Sequence, residues 1–481
     1  MSAGSHPSAA APALRRTMGF RDVLLFFITA CINLQWVATA AAAGPAAVTF
    51  WIAGFAAMAV PLGLCVIELA SRYPGEGGLY LWTKRAFGDF SAFMTGWTYW
   101  TSNLPYFPGV LYFAAGNLLF LGGERVRGLS DEPVYYILAS VVGLALATWL
   151  NLVGLNVGKW LNNIGGVARW AAAILLVTVG LLAWYRFGSA SSFSWTALRP
   201  GARLQDLIFW STIAFALTGF EAASFMGDEI REPRRSVPRA ILIALPLVSL
   251  IYIAGTVSVL VALPASETSA LQGIMAAMSS AGDRLGMPAI APIAALLITI
   301  SALGSVGAWL GSTARIPFVA GIDHYLPKSF AKVHPRWRTP HVALLTEAII
   351  AVVCVLLGQA GTSVRGAYDV LVSMTVITFL IPFLFLFAAM FRLQREPAGP
   401  DVRRVPGGRP VACLLSSVGF LTTLVAIVLA FVPPADEPRP LFTFVKLVVL
   451  TALTVGSGAV IYAVGKRRQA AEAAGGPVTR G

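Results

Sequence analysis

Residues 206–240 read DLIFWSTIAFALTGFEAASFMGDEIREPRRSVPRA. The stretch opens as an apolar helix of the length a lipid hydrocarbon core requires, ~20 residues for ~30 Å. Midway it carries Thr218, Gly219 and Glu221. It ends in Asp228 and Glu229, followed by Arg231, Arg234, Arg235 and Arg239, a run broken by Pro233 and Pro238. A charged side chain at the bilayer centre is expensive, so an acid beside a helix-weakening glycine marks a functional part of such a span. Apolar surroundings favour the neutral form of the acid, which makes Glu221 a candidate proton carrier. The structural alternative is a carboxylate tied to backbone donors.

The rest of the chain is of the same kind. Of 481 residues, 57% are hydrophobic and 12% charged, and the mean hydropathy is +0.74. A soluble domain carries about 25% charged residues, so this is the composition of an all-α integral membrane protein. The net charge of +13 sits in short basic runs between apolar segments, which fits the positive-inside rule rather than nucleic-acid binding. Cys31, Cys65, Cys354 and Cys413 are far apart in apolar segments and are expected as buried free thiols. His6, His324, His334 and His341 make no metal-ligand spacing, and no nucleotide-binding loop is visible, so neither cofactor nor metal is expected.

The span-length rule places twelve transmembrane helices, called spans 1 to 12. Their expected limits are 20–43, 47–71, 88–121, 133–153, 160–186, 206–230, 237–263, 288–315, 340–358, 367–392, 411–432 and 440–465. With the N-terminus inside, about 25 of the 35 Lys and Arg residues fall on inner segments and about nine on outer ones. Both termini are then cytoplasmic, and the membrane is the cell inner (cytoplasmic) membrane. Arg15, Arg16, the first apolar run and ATAAAAG at 38–44 look like a leader with its cleavage site. The polar interruption at Asn33 and Gln35, and the apolar spans that continue after it, favour a retained span.

Three stretches carry a family likeness: GFEAASFMGDEIREPRRSVPRA (219–240), ELASRYPGEGGLYLWTKRAFGDF (68–90) and ALGSVGAWLGSTARIPFVAGIDHYLPKSFAKVHPRWRTPHVALL (302–345). They resemble the amino acid–polyamine–organocation transporter superfamily, and the likeness extends over roughly residues 20–465. The resemblance implies a five-plus-five inverted repeat with discontinuous spans 1 and 6, plus two extra helices. Residues 20–187 and 206–392 would be the two halves, 411–466 the extra pair, and 1–19 and 467–481 cytoplasmic tails. Interrupted helices at matching places in two halves point to a transporter site at the midplane.

The resemblance also implies where a substrate sits, between spans 1, 3, 6 and 8. In span 1, FRDVLLFFITACINLQWVATAAAAGPAAV, the family breaks its helix and holds a substrate carboxylate on exposed backbone N–H groups. The positive end of a half-helix suits an anion. The family has a glycine-x-glycine there, whereas this chain has Asn33 and Gln35 beside Trp36, and the pair can equally serve as hydrogen-bonding glue between helices. In span 3, Pro105 and Pro108 free backbone carbonyls, and Asn103 and Tyr106 are there to use the space. In span 6 the break falls near Thr218 and Gly219, and Phe215 aligns with the family's aromatic gate. Trp309 of span 8 matches a position that walls the pocket.

Arg169, in NNIGGVARWAAAILLV of span 5, approximately matches a lysine that fills a sodium-sized space in some proton-coupled relatives. A guanidinium there is a permanent cation, not a titrating group. The alternative is a side chain that snorkels to the inner interface. Glu68 reads as structural, paired to an inner-segment arginine, and Gly304, Ser305 and Gly307 permit close helix contact. Glu347 and Asp369 are polar flags without evident partners.

The leading expectation is a secondary transporter of amino acids working by alternating access, with an antiporter among the possibilities and the proton as candidate coupling ion. A polyamine or organic-cation transporter of the same fold is the first alternative, because such a substrate lacks a carboxylate and would want Glu221. A sensor that binds without transporting is the second. An enzyme is not expected, since no constellation of His, Cys and acids faces one cleft.

Overall fold

A computed structural model describes residues 19–73, 77–153, 155–222, 224, 230–314, 325–337, 339–399, 402–435 and 437–474. Arg15, Arg16, His6, Pro74, Gly75, Asp228, Glu229, Arg315, Asp323, His324 and Arg338 lie outside the described residues. The regular elements among the described residues are all helices, with no strand among them.

Among the described residues, ten helices are long and apolar enough to cross a membrane: Ala46–Arg72, Asp89–Gly122, Pro133–Val153, Trp160–Phe187, Pro233–Ala262, Ile290–Thr313, His341–Gln359, Val364–Leu393, Gly408–Ala430 and Pro440–Ala471. They are spans 2–5 and 7–12. The two expected spans outside this set are 1 and 6, and each has a break among its described residues. Span 1 divides into Phe20–Cys31 and Leu34–Ala41. Ile32 and Asn33 between them are extended, with φ/ψ of −87°/121° and −139°/120°. Span 6 is expected over 206–230 with its break near Thr218 and Gly219, and the break is found there. Its helix runs through Leu204–Leu207 and Phe209–Ala216, then leaves α geometry at Leu217.

The breaks lie where the local chemistry is weakest. Asn33 offers its carboxamide oxygen to the Gln35 N–H, which is the behaviour of an N-cap residue and starts a new helix rather than continuing the old one. Gly219 has φ +104°, a region that costs L residues but not glycine. In span 3 the helix also loosens, at Ser102, just before Pro105 and Pro108.

Spans 3 and 10 form the centre of the bundle, each 78% buried over its most apolar window, whereas span 12, at 17%, lies at the periphery. Spans 5 and 8 meet backbone to backbone. A Cβ added at Gly165 would come within 2.5 Å of Gly304 Cα, so only glycine permits this approach. At the end of span 2, Glu68 is buried and tied to Arg72 of its own last turn at 2.8 Å, to Gln394 Nε2 at 2.7 Å and to the Val405 N–H at 2.7 Å. Arg72 donates to the Leu393 and Glu396 carbonyls. The ends of spans 2 and 10 therefore lie on one side of the bundle, as strict alternation of the spans requires.

Candidate substrate site

The span 1 break exposes two backbone groups, and one side chain from span 7 takes both. The Tyr252 hydroxyl donates to the Cys31 carbonyl at 2.5 Å and accepts from the Asn33 N–H at 3.1 Å. Its ring stacks on Trp51 at 4.6 Å with 4° between planes, and Trp51 Nε1 donates to Thr256 Oγ1. A buried polar group left unpaired is costly, so this fixed hydroxyl lets a non-helical segment persist inside the bundle. Asn33 Nδ2 donates in turn to the Tyr106 hydroxyl of span 3 at 3.1 Å.

A cavity of about 50 Å³ lies between the two breaks. Asn33 and Trp36 line it from span 1, Asn103 and Tyr106 from span 3, and Trp309 from span 8. Phe215, Thr218 and Gly219 line it from span 6. Eight of the nine residues expected around the substrate are thus brought to one place. The ninth, Gln35, does not line it. Gln35 is the second residue of the new half-helix and is buried, with its Nε2 beside Gly109 of span 3.

Aromatic rings make most of the wall. Phe215 stands edge-on to Trp36 at 4.9 Å and to Phe379 of span 10 at 5.0 Å, closing one side. Tyr106 and Trp309 meet edge to face at 6.4 Å on the other. Ring faces of this kind attract a cation. Asn103 lines the cavity but donates back to the Tyr99 and Trp100 carbonyls of its own helix. Thr218 likewise donates to the Phe215 carbonyl.

Both coupling candidates lie just outside the wall. Glu221 is fully buried, accepting from the Gly219 N–H at 2.9 Å and from the Tyr99 hydroxyl at 3.2 Å. It sits behind Gly219 rather than in the cavity. Arg169 does not snorkel. It is buried, its Nε donating to Ser301 Oγ at 3.3 Å and its Nη2 bonding Ser305 Oγ, both on span 8. The close approach of spans 5 and 8 puts those hydroxyls within reach, which makes a turn toward the interface unnecessary.

The structure also brings in residues that the sequence did not single out. Phe379 and Thr375 of span 10 line the cavity, with Ser102, Ala216 and Cys31. Span 10 is apolar almost throughout, so nothing in its pattern marks one phenylalanine among several. Tyr252 carried a readable signal, a hydroxyl in the middle of an apolar span, which needs a partner when buried. Glu347 proves to be partnered: it accepts from Trp100 Nε1 at 2.5 Å.

Comparison with known proteins follows the same line. A family model described as amino acid permease matches residues 18–455. An uncharacterised transporter of Legionella pneumophila is 25% identical over 427 residues, 88% of this chain and 91% of that one. A probable agmatine/putrescine antiporter of Lactococcus lactis is 24% identical, covering 92% of each chain. A glutamate/gamma-aminobutyrate antiporter of the same organism is 22% identical over 82% of this chain and 80% of its own. The crystal structure of MhsT in complex with L-phenylalanine superposes with a TM-score of 0.60 at 14% identity, covering 85% of this chain and 98% of that one.

Proposed function

The chain belongs to the amino acid permease family, and from that premise we propose how it uses the cavity between its two broken spans. It is a multi-pass membrane protein and a secondary transporter of amino acids or polyamines. Our reading is that the substrate is an amino acid and that transport proceeds by alternating access across the cytoplasmic membrane, with both termini inside. The halves 20–187 and 206–392 move against each other around the cavity, and 411–466 stays outside that motion.

One observation carries this reading. The positive end of the half-helix Leu34–Ala41, at its N-cap Asn33, and the negative end of Phe209–Ala216, at Phe215 and Ala216, reach the same cavity. Opposed helix ends suit a zwitterion, carboxylate toward span 1 and ammonium toward span 6 and the rings. The cavity of about 50 Å³ is smaller than the ~150 Å³ that accommodates benzene in an engineered core. Substrate entry therefore turns the Phe215 ring out from between Trp36 and Phe379.

A second reading has its own support. The Asn33 carboxamide oxygen already accepts from the Gln35 N–H, the position a carboxylate would take. An amine without a carboxylate need not displace it. Counterflow in proteoliposomes decides between the two. Uptake of a labelled amino acid that stops when its carboxylate is amidated supports the zwitterion. Uptake of putrescine or agmatine alone supports the amine. No flux with either, alongside retained binding, makes the chain a sensor.

Glu221 is the proposed proton carrier and Arg169 the fixed cation holding span 8 to span 5. Glu221→Gln should keep substrate binding while flattening the pH dependence of flux. An unchanged pH profile in that variant would remove Glu221 from the coupling step.

A further inference from the structure

A second cavity, which shares no lining residue with the first, lies between the end of span 10 and span 11. It has a volume of about 900 Å³. Its rim carries Arg85, Arg392 and Arg395, with Glu396 as the acid among them. Arg85 is paired with Glu396 at 2.8 Å. Arg392 and Arg395 are exposed and make no side-chain hydrogen bond or ion pair among the described residues, and Arg392 lies over the Phe87 ring at 5.4 Å. The rim therefore presents two uncompensated guanidiniums.

The floor is of opposite character. Phe387, Phe391, Phe420 and Leu421 line it. Phe387 is buried, whereas Phe391 is 47% and Leu421 58% exposed, so the groove is open along its side. Leu421 lies thirteen residues past Gly408, the start of span 11, or roughly 20 Å into the bundle at ~1.5 Å per residue. The groove thus runs from a cationic rim well into the apolar layer, which spans ~30 Å. A soluble anion would use the rim and leave the floor bare. A neutral lipid would use the floor and leave the arginines unmatched.

We propose that this groove is a binding site for an anionic phospholipid, its phosphate on Arg392 and Arg395 and one acyl chain along Phe391, Phe420 and Leu421. The guanidinium fork matches phosphate geometry, and basic sites between transmembrane helices recognise acidic headgroups through such contacts.

The test is native mass spectrometry of the full-length protein from nanodiscs of mixed phosphatidylglycerol and phosphatidylcholine, under stepwise delipidation. Wild type is expected to retain one phosphatidylglycerol after phosphatidylcholine is lost. Each basic residue near an anionic surface is worth roughly fivefold in affinity, so Arg392→Gln/Arg395→Gln should weaken retention by about thirtyfold. Arg467→Gln/Arg468→Gln, which removes two charges elsewhere, should not. Leu421→Trp keeps the rim and fills the acyl track, and should also release the lipid. Free glycerol 3-phosphate should not compete. Equal retention of the two lipids, retention unchanged in the rim or floor variants, or full competition by glycerol 3-phosphate would each overturn the proposal.

Discussion

Gly219 is the residue on which span 6 turns. Its φ of +104° is open to glycine, and a Cβ there would sit 2.9 Å from Cys31 Sγ in span 1. Gly219→Ala therefore meets two obstacles, a backbone penalty of about 1–2 kcal/mol and a collision between the two broken spans. Thermal unfolding should fall for the single variant and recover only in part in Gly219→Ala/Cys31→Ala. Full recovery would mean that the backbone conformation is not demanding. Much of this neighbourhood was legible in the sequence, because Asn33, Thr218 and Glu221 are polar groups in apolar spans and such groups are retained only for a reason. Phe379 was not legible, since a ring among apolar neighbours has no mark until packing selects its face. Gln35 lies off the cavity wall, and a residue's place around a half-helix depends on where the break starts it.

At the scale of elements, span lengths followed from hydrophobicity alone, and the ten long apolar helices among the described residues fall within a few residues of the expected limits over most of their length. The breaks in spans 1 and 6 could be expected, but what stabilises them could not. Tyr252 lies 219 residues from Asn33 in sequence. Tyr252→Phe leaves the Cys31 carbonyl and the Asn33 N–H without that partner and should cost about 1–3 kcal/mol, seen as a lower unfolding midpoint with span 1 exchanging amide hydrogens faster. A variant as stable as wild type would show that the break is held by other contacts. Spans 5 and 8 supply a second case. Gly165→Val places side-chain atoms against the Gly304 backbone, and overpacking of this kind costs about 1–3 kcal/mol. The same variant should loosen Arg169 from Ser301 and Ser305, so lost stability and lost transport should appear together. Arg169 also shows the limit of reading one helix alone: its direction depends on hydroxyls more than 130 residues away.

At the scale of the whole molecule, a charged contact outside the spans joins the segment after span 2 to the one after span 10. Hydrogen bonding from Arg85, and then from Tyr73, holds the Glu396 carboxyl below its ordinary range. A depressed carboxyl contributes its stabilisation in full above the ordinary carboxylate range and loses it as pH falls through the lowered folded value. Acid unfolding of wild type and Glu396→Gln should accordingly differ at neutral pH and converge once the pH falls below the lowered carboxyl value. Curves that stay parallel throughout would mean that the contact carries no net stability. The bundle frames a small cavity lined by both helix breaks. The most direct test is thermal unfolding of the purified full-length protein against a panel of amino acids and amines. Ligand at a hundred times its Kd adds about 2.7 kcal/mol of apparent stability. The account predicts that at least one of these compounds raises the wild-type midpoint and that Phe215→Ala and Trp309→Ala abolish the shift. A shift that persists undiminished in both variants, or no shift with any compound, would contradict it.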